Sequence, residues 1–218
     1  MAGDTETVEV PMFPLESAFL PGDDLPLRVF EPRYAALVRD CMREADPRFG
    51  VVLISRGREV GGGDTRCDIG ALADIVQCID MGSDRYGLRC RVGERIRVRE
   101  WLPDDPYPRA IVQIWPDDPG EPVSETELHE LEDRVVALFE RVATARGARL
   151  PDRETVLGYG PDGSGDTAKR LYGLASRLPI GPADRYAVLS APSAAERLAA
   201  LGEALDSVTA MVEFQLSE

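Results

Sequence analysis

Between residues 88 and 101 apolar and charged positions alternate: Leu88, Cys90, Val92, Ile96 and Val98 interleave with Arg89, Arg91, Arg95, Arg97 and Arg99. A period of two places successive side chains on opposite faces of a strand, so this run predicts a β-strand with one face inward and one outward. Gly93-Glu94 interrupts the alternation without losing its phase, as a bulge or turn would. The apolar run Phe49–Ile54 predicts a short buried strand, and Ile69–Ile79 and Ala110–Trp115 predict two more. Residues 8–30 form two extended segments parted by the turn pair Pro21-Gly22. Pro11, Pro14 and Pro26 each lack a backbone donor, which confines these segments to sheet edges or strand starts. Pro32 suits the first position of a helix whose buried face is Tyr34, Leu37, Val38, Cys41, Met42 and Ala45, stopped by Asp46-Pro47. GREVGGGD, residues 57–64, is expected to be a hairpin loop.

Past the proline-rich acidic stretch PDDPGEPV, residues 116–123, the period changes. Ser124 and Glu127 form a capping box ahead of the stripe Leu128, Leu131, Val135, Leu138 and Val142, which ends at Gly147. Residues 150–165 are expected to be a loop. Asp166 caps a second helix carrying Leu171, Leu174 and Leu178, and Gly181-Pro182 opens a short third one. Ser193 and Glu196 cap the last, with Leu198, Leu201, Leu205, Val208 and Val212 on one side. Single apolar stripes must be covered, so the second half predicts a helical bundle. The pattern describes an α+β chain. Residues 1–120 form a small barrel or curled sheet with one inserted helix, and residues 121–218 form the bundle.

A chain of 218 residues buries about 70% of its unfolded surface and needs neither disulfides nor metal to fold. Its 25 basic and 39 acidic residues give a net charge of −14, which argues against a general binder of nucleic acid or anionic membranes. The four cysteines, at 41, 67, 78 and 90, form no C-x-x-C pair, and core thiols in a reducing compartment are expected. MAGDTETVEV lacks the apolar region of a signal peptide and no apolar run approaches a membrane span, so a soluble cytoplasmic protein is expected.

Candidate chemistry changes this picture little. GYGPDGSGDTAKR, residues 158–170, has the four-residue gap of a phosphate loop between Gly160 and Gly165, but Asp166 and Thr167 stand where lysine and serine or threonine are needed. His129, the single histidine, sits beside its helix stripe and is expected in solvent. Asp23-Asp24, Asp104-Asp105 and Asp117-Asp118 sit among turn formers and are expected to be solvated. Arg89, Arg91, Arg95, Arg97 and Arg99 could track a phosphate backbone, which gives RNA binding as an alternative, although that face lacks aromatics for base stacking. A hydrolase using carboxylates alone is a second alternative. No spacing implies a cofactor or a metal.

The chain also resembles a known family. The residues that carry the likeness are Phe13-Pro14-Leu15, Leu20-Pro21-Gly22, Leu25-Pro26-Leu27, Phe30-Glu31-Pro32-Arg33-Tyr34 and Phe49-Gly50-Val51-Val52. Ile69–Ile75, Gly93–Ile96, Pro106–Ala110 and the run from Leu171 to Leu201 extend it over nearly the whole chain. This pattern resembles the LON substrate-binding domain, the N-terminal domain of Lon ATP-dependent proteases. The resemblance implies a PUA-like β-barrel followed by a helical bundle, and a free-standing form without ATPase or protease domains, since neither a Walker lysine nor a dyad lysine is found. It implies a non-enzymatic module that binds protein or unfolded polypeptide segments, with a Lon-type ATPase in trans as one candidate partner and joint action with a Lon protease left open.

The expected contact residues are Phe19, Leu25, Phe30, Arg33 and Tyr34, with addition of a strand to a sheet edge as one mode. FEPRY is expected to be a strand-to-helix corner in which Phe30 and Tyr34 are buried, Glu31 caps the helix and Arg33 meets a carboxylate or carbonyl.

Overall fold

The computed structural model describes residues 6–56, 65–158 and 166–217, so the expected loop at 57–64 and most of the glycine-rich stretch at 158–165 lie outside the described residues. The chain divides into two compact units, Met1–Pro116 and Asp117–Glu218.

Among the described residues the first unit carries six strands and one helix. These are β1 (Thr7–Leu15), β2 (Asp24–Val29), α1 (Pro32–Cys41), β3 (Arg48–Arg56), β4 (Thr65–Asp80), β5 (Tyr86–Leu102) and β6 (Arg109–Ile114). Strands β1 and β3 pair in parallel; the other pairs are antiparallel. The order is β2-β5-β4-β3-β1-β6, and a further β5–β6 pairing closes β1, β3, β4, β5 and β6 into a ring. The 17-residue β5 makes this possible by dividing one edge. Its first part, Tyr86–Arg91, pairs with β2, and its second, Ile96–Leu102, pairs with β6. The bulge expected at Gly93-Glu94 is present: the register passes from Ala71↔Arg95 to Ala73↔Val92. A second irregularity falls at Arg99, between the pairs made by Val98 and Glu100. Strands β3 and β4 approach so closely at Gly70 that a Cβ there would lie 2.1 Å from the Val51 carbonyl oxygen.

Two apolar clusters fill this unit. One joins Tyr34, Ala35, Leu37, Val38 and Cys41 of α1 to Phe13, Leu25, Val29, Phe49, Leu88 and Cys90. The other gathers Val10, Met12, Val52, Leu72, Ile96, Val98, Ala110 and Val112. Helix α1 ends at Cys41, one turn earlier than its apolar pattern suggests, and Met42 and Ala45 are exposed. Cys41 and Cys90 are buried free thiols, pushed up to about 12 chiefly by loss of water.

The second unit is helical: α2 (Glu125–Ala145), α3 (Arg153–Leu157), α4 (Thr167–Arg177), α5 (Pro182–Ser190) and α6 (Ala194–Leu216). Helix α6 packs against α2, α4 and α5. The Ser124/Glu127 capping box is formed, and Asp166 and Ser193 accept from the Lys169 and Glu196 amides. Helix α3 lies where the sequence predicts only loop. It has five residues, too few for a visible period, and Asp152 caps it by accepting from the Thr155 amide at 2.8 Å.

Asp117 also departs from expectation. Its carboxylate is engaged by Arg197 Nη1 and Nη2 at 2.7 and 2.6 Å, and that arginine is 0% exposed with its guanidinium 4.2 Å from the Tyr172 ring centroid. A charge that leaves water needs a partner of this kind, which a solvated turn aspartate does not provide.

Candidate functional site

The first unit bears a cavity of about 160 Å³ at the corner where β1, β2 and α1 meet. Phe13 and Leu15 of β1 form one wall and Pro26–Val29 of β2 another; Phe30, Glu31 and Tyr34 complete it. The period of β2 explains its wall, since Leu25, Leu27 and Val29 turn inward while Asp24, Pro26 and Arg28 are exposed. Tyr34 is fixed by an aromatic stack: its ring centroid lies 4.0 Å from that of Phe13, with 13° between the planes. Phe13 in turn tilts against Phe49 at 5.9 Å. The Arg33 guanidinium covers the Tyr34 ring at 4.5 Å, and its Nε donates to Glu31 Oε2 at 3.1 Å.

The five residues expected to contact polypeptide therefore separate. Phe30 is 60% exposed at the cavity rim, where the sequence predicts a buried ring. The alternation of β2 that turns Val29 inward turns Phe30 outward, and Glu31 is still extended, with φ −78° and ψ 135°, before helix α1 begins. Tyr34 is 3% exposed and lines the cavity. Leu25, expected to be an exposed contact, is 2% exposed and belongs to the core. Phe19 is half-buried and packs against the same core. Arg33 is held within the corner. Glu31 occupies the N-cap position without a side-chain cap, because its carboxylate faces Arg33. Phe13, Leu15, Leu27 and Val29 complete the site, and sequence reasoning assigned them no contact role although the period of β2 marks two of them as inward.

The arginines of β5 do not form one open track. Arg91 donates to the Gly22 carbonyl at 2.8 Å and pairs with Asp24 at 3.5 Å. Arg95, 5% exposed, and Arg97 lie over Trp115 at 4.2 and 4.1 Å. Arg99 is bound to Gln113. The single outward face expected of Arg89, Arg91, Arg95, Arg97 and Arg99 is thus broken. The aromatic it seemed to lack, Trp115, is present but covered by two guanidinium groups.

The displaced titrations lie elsewhere. Tyr107 Oη donates to Asp40 at 2.9 Å, and burial first, then this bond, push the phenol up to about 12. The exposed caps Glu127 and Asp152 are lowered by the hydrogen bonds they accept at helix starts. Among the described residues no group of three or more His, Cys, Asp or Glu side chains is placed to hold a metal ion. No helix among them is long and apolar enough to cross a membrane.

Residues 9–207 match the family described as the ATP-dependent protease La (LON) substrate-binding domain. The chain belongs to this family. Two bacterial relatives align with about half of this chain over a small part of their own length. Lon protease 2 of Myxococcus xanthus is 37% identical over 105 residues, 47% of this chain and 13% of its own length. Lon protease of Anaeromyxobacter dehalogenans (strain 2CP-C) is 33% identical over 106 residues, 48% of this chain and 12% of its own. The chain is thus matched to a small part of each.

Among solved structures, a Lon N-terminal domain protein from Xanthomonas campestris superposes with a TM-score of 0.63 at 27% identity, covering 89% of this chain and 96% of that one. The N-terminal domain of a Mycobacterium avium complex Lon protease superposes with a TM-score of 0.62 at 17% identity, covering 91% and 98%. The second comparison shows the fold alone. Together they bear out the expected LON-type architecture of strands in a barrel-like ring and a C-terminal helical part.

Proposed function

We propose that this LON substrate-binding domain recognises and holds polypeptide segments, and that the corner of β1, β2 and α1 is where it does so. The observation that carries this reading is the exposed Phe30 ring beside a cavity lined mostly by apolar side chains, with Arg28 and Glu31 at its edge, in a segment otherwise devoted to burying its aromatics. An exposed aromatic at the mouth of an apolar pocket is the arrangement that anchors a partner's side chain. Tyr34, Phe13 and Arg33 keep the pocket open by holding one another in place.

The domain takes no part in bond breaking. In support of this, among the described residues the groups with displaced titration outside the ion pairs are buried or half-buried thiols, a buried phenol and helix caps, and none lines the cavity. Its partner is a Lon-type ATPase in the cytoplasm, carried on the same polypeptide or met in trans, to which it presents the held segment.

The test is fluorescence anisotropy with a permanently unfolded, alkylated protein as probe. The full chain binds it, and Phe30→Ser weakens binding about tenfold, the loss expected for one aromatic anchor. Binding that is unaffected by Phe30→Ser moves the site elsewhere; absence of binding by the wild-type chain ends the reading.

A further inference from the structure

The closed ring leaves β2 outside it. Strand β2 is bonded to β5 along one side, and among the described residues no strand pairs with its other side. The orientation of that open side follows from Pro26. A residue with no N–H sits where its missing donor would point away from the ladder, so Pro26 faces outward. The Val92 amide donates to the Asp23 carbonyl, which fixes the same phase. Asp24 and Arg28, two residues either side of Pro26, then share its orientation. Their amides, and the carbonyls of all three, make no backbone hydrogen bond to turns or loops among the described residues. This edge opens beside the cavity, because Pro26, Leu27, Arg28 and Val29 line it.

Cavity size and local charge narrow the occupant. An apolar cavity of about 150 Å³ accepts a benzene ring, and this one is about 160 Å³ with Phe13, Leu15, Leu27, Val29, Phe30 and Tyr34 around it. Arg28 is exposed and forms no ion pair among the described residues, in a chain whose net charge is −14. Arg89, directly across from Pro26 on β5, is likewise exposed and without an ion pair among the described residues. The outer face beside the open edge is therefore locally cationic.

We propose that the ligand is an extended polypeptide segment that adds to the free edge of β2, places one phenyl-sized side chain in the cavity, and sets an acidic side chain beside Arg28 on the outer face. The proposal rests on the polypeptide-holding function and specifies its substrate class. A strand laid along β2 has side chains alternating inward and outward, so an apolar residue next to an acidic one satisfies cavity and arginine together. Pro26 removes one donor from the ladder. The edge alone is a weak template, and occupancy depends on the pocket being filled as well.

The experiment uses the full chain and a fluorescent peptide of about six residues, alternating aspartate with apolar residues around one phenylalanine. Three comparisons follow: the same peptide with lysine for aspartate, the same peptide N-methylated on its edge-facing amides, and the Arg28→Glu protein. N-methylation is expected to weaken binding about tenfold or more by removing ladder bonds. Arg28→Glu is expected to weaken the aspartate peptide about three- to tenfold and to favour the lysine peptide instead. The alkylated unfolded protein serves as parallel probe. If it binds but the peptide does not, or if the peptide binds regardless of N-methylation and of Arg28→Glu, strand addition is overturned while polypeptide holding stands. If neither probe binds, the underlying function fails and the proposal fails with it.

Discussion

Phe30 and Tyr34 lie four residues apart in one motif, yet one ring is exposed and the other buried, and replacing each by alanine separates the proposed binding role of the first from the packing role of the second. Tyr34→Ala removes a ring that is 3% exposed and stacked on Phe13 at 4.0 Å. Truncating a buried aromatic costs about 3–5 kcal/mol, and the lost ring pair adds about 1 kcal/mol. A domain of this size is stable by about 5–15 kcal/mol, so the variant folds with a much smaller margin. Phe30→Ala removes a ring that is 60% exposed, and its effect on stability should stay within about 0.5 kcal/mol.

Both tryptophans, Trp101 and Trp115, lie in the first unit, so urea unfolding followed by their fluorescence reports on this unit. With a denaturant slope near 2 kcal/mol per molar, Tyr34→Ala lowers the midpoint by roughly 2 M and Phe30→Ala leaves it in place. Polypeptide binding responds in the reverse sense, falling in Phe30→Ala while its midpoint is unchanged. Equal midpoint shifts in the two variants, or a wild-type midpoint for Tyr34→Ala, would refute this division of roles.

Two further outcomes test the fold around the site. Arg197→Ala should destabilise the helical unit by about 3–5 kcal/mol, because it strands the Asp117 carboxylate and uncovers Tyr172. Arg197→Met combined with Asp117→Ala should recover most of that loss in thermal melts followed by far-UV circular dichroism; a double variant as weak as the single would argue against ion pairing as the cause. Cys41, Cys90 and Tyr107 keep their protons to about 12 in the folded chain, whereas the unfolded chain releases them from about 8.5 for thiols and about 10 for the phenol. The folded state binds these protons more tightly, so their contribution is complete below about pH 8.5 and is lost as pH climbs toward 12. A urea midpoint that stays level from pH 8 to about 11 would contradict the burial of these groups.

The elements legible in the sequence are those set by local pattern. The alternation in β5, its bulge at Gly93-Glu94 and the caps at Ser124, Asp166 and Ser193 all depend on neighbours within a few residues, and all are present. Leu25 carried a usable signal, since Leu25, Leu27 and Val29 alternate with exposed residues, but Pro26 beside it marks a sheet edge, which by residue type alone is equally compatible with exposure. Asp117 was illegible for a different reason: its partner Arg197 is 80 residues away, and only the folded bundle brings them together. Trp115 was missed as the cover for Arg95 and Arg97 because it follows a different strand.

Because β5 closes the ring with β6 and carries β2 on the remainder of the same edge, the barrel's integrity and its outer strand are separable. Residues of β2 that face solvent can change without opening the closure between β5 and β6. Under the proposed strand addition the scaffold is open to retargeting: rewriting Asp24, Pro26 and Arg28 within a six-residue strand should alter which segments bind while the architecture persists. A module built this way can drift in specificity, or be engineered for it, with little risk to its own folding.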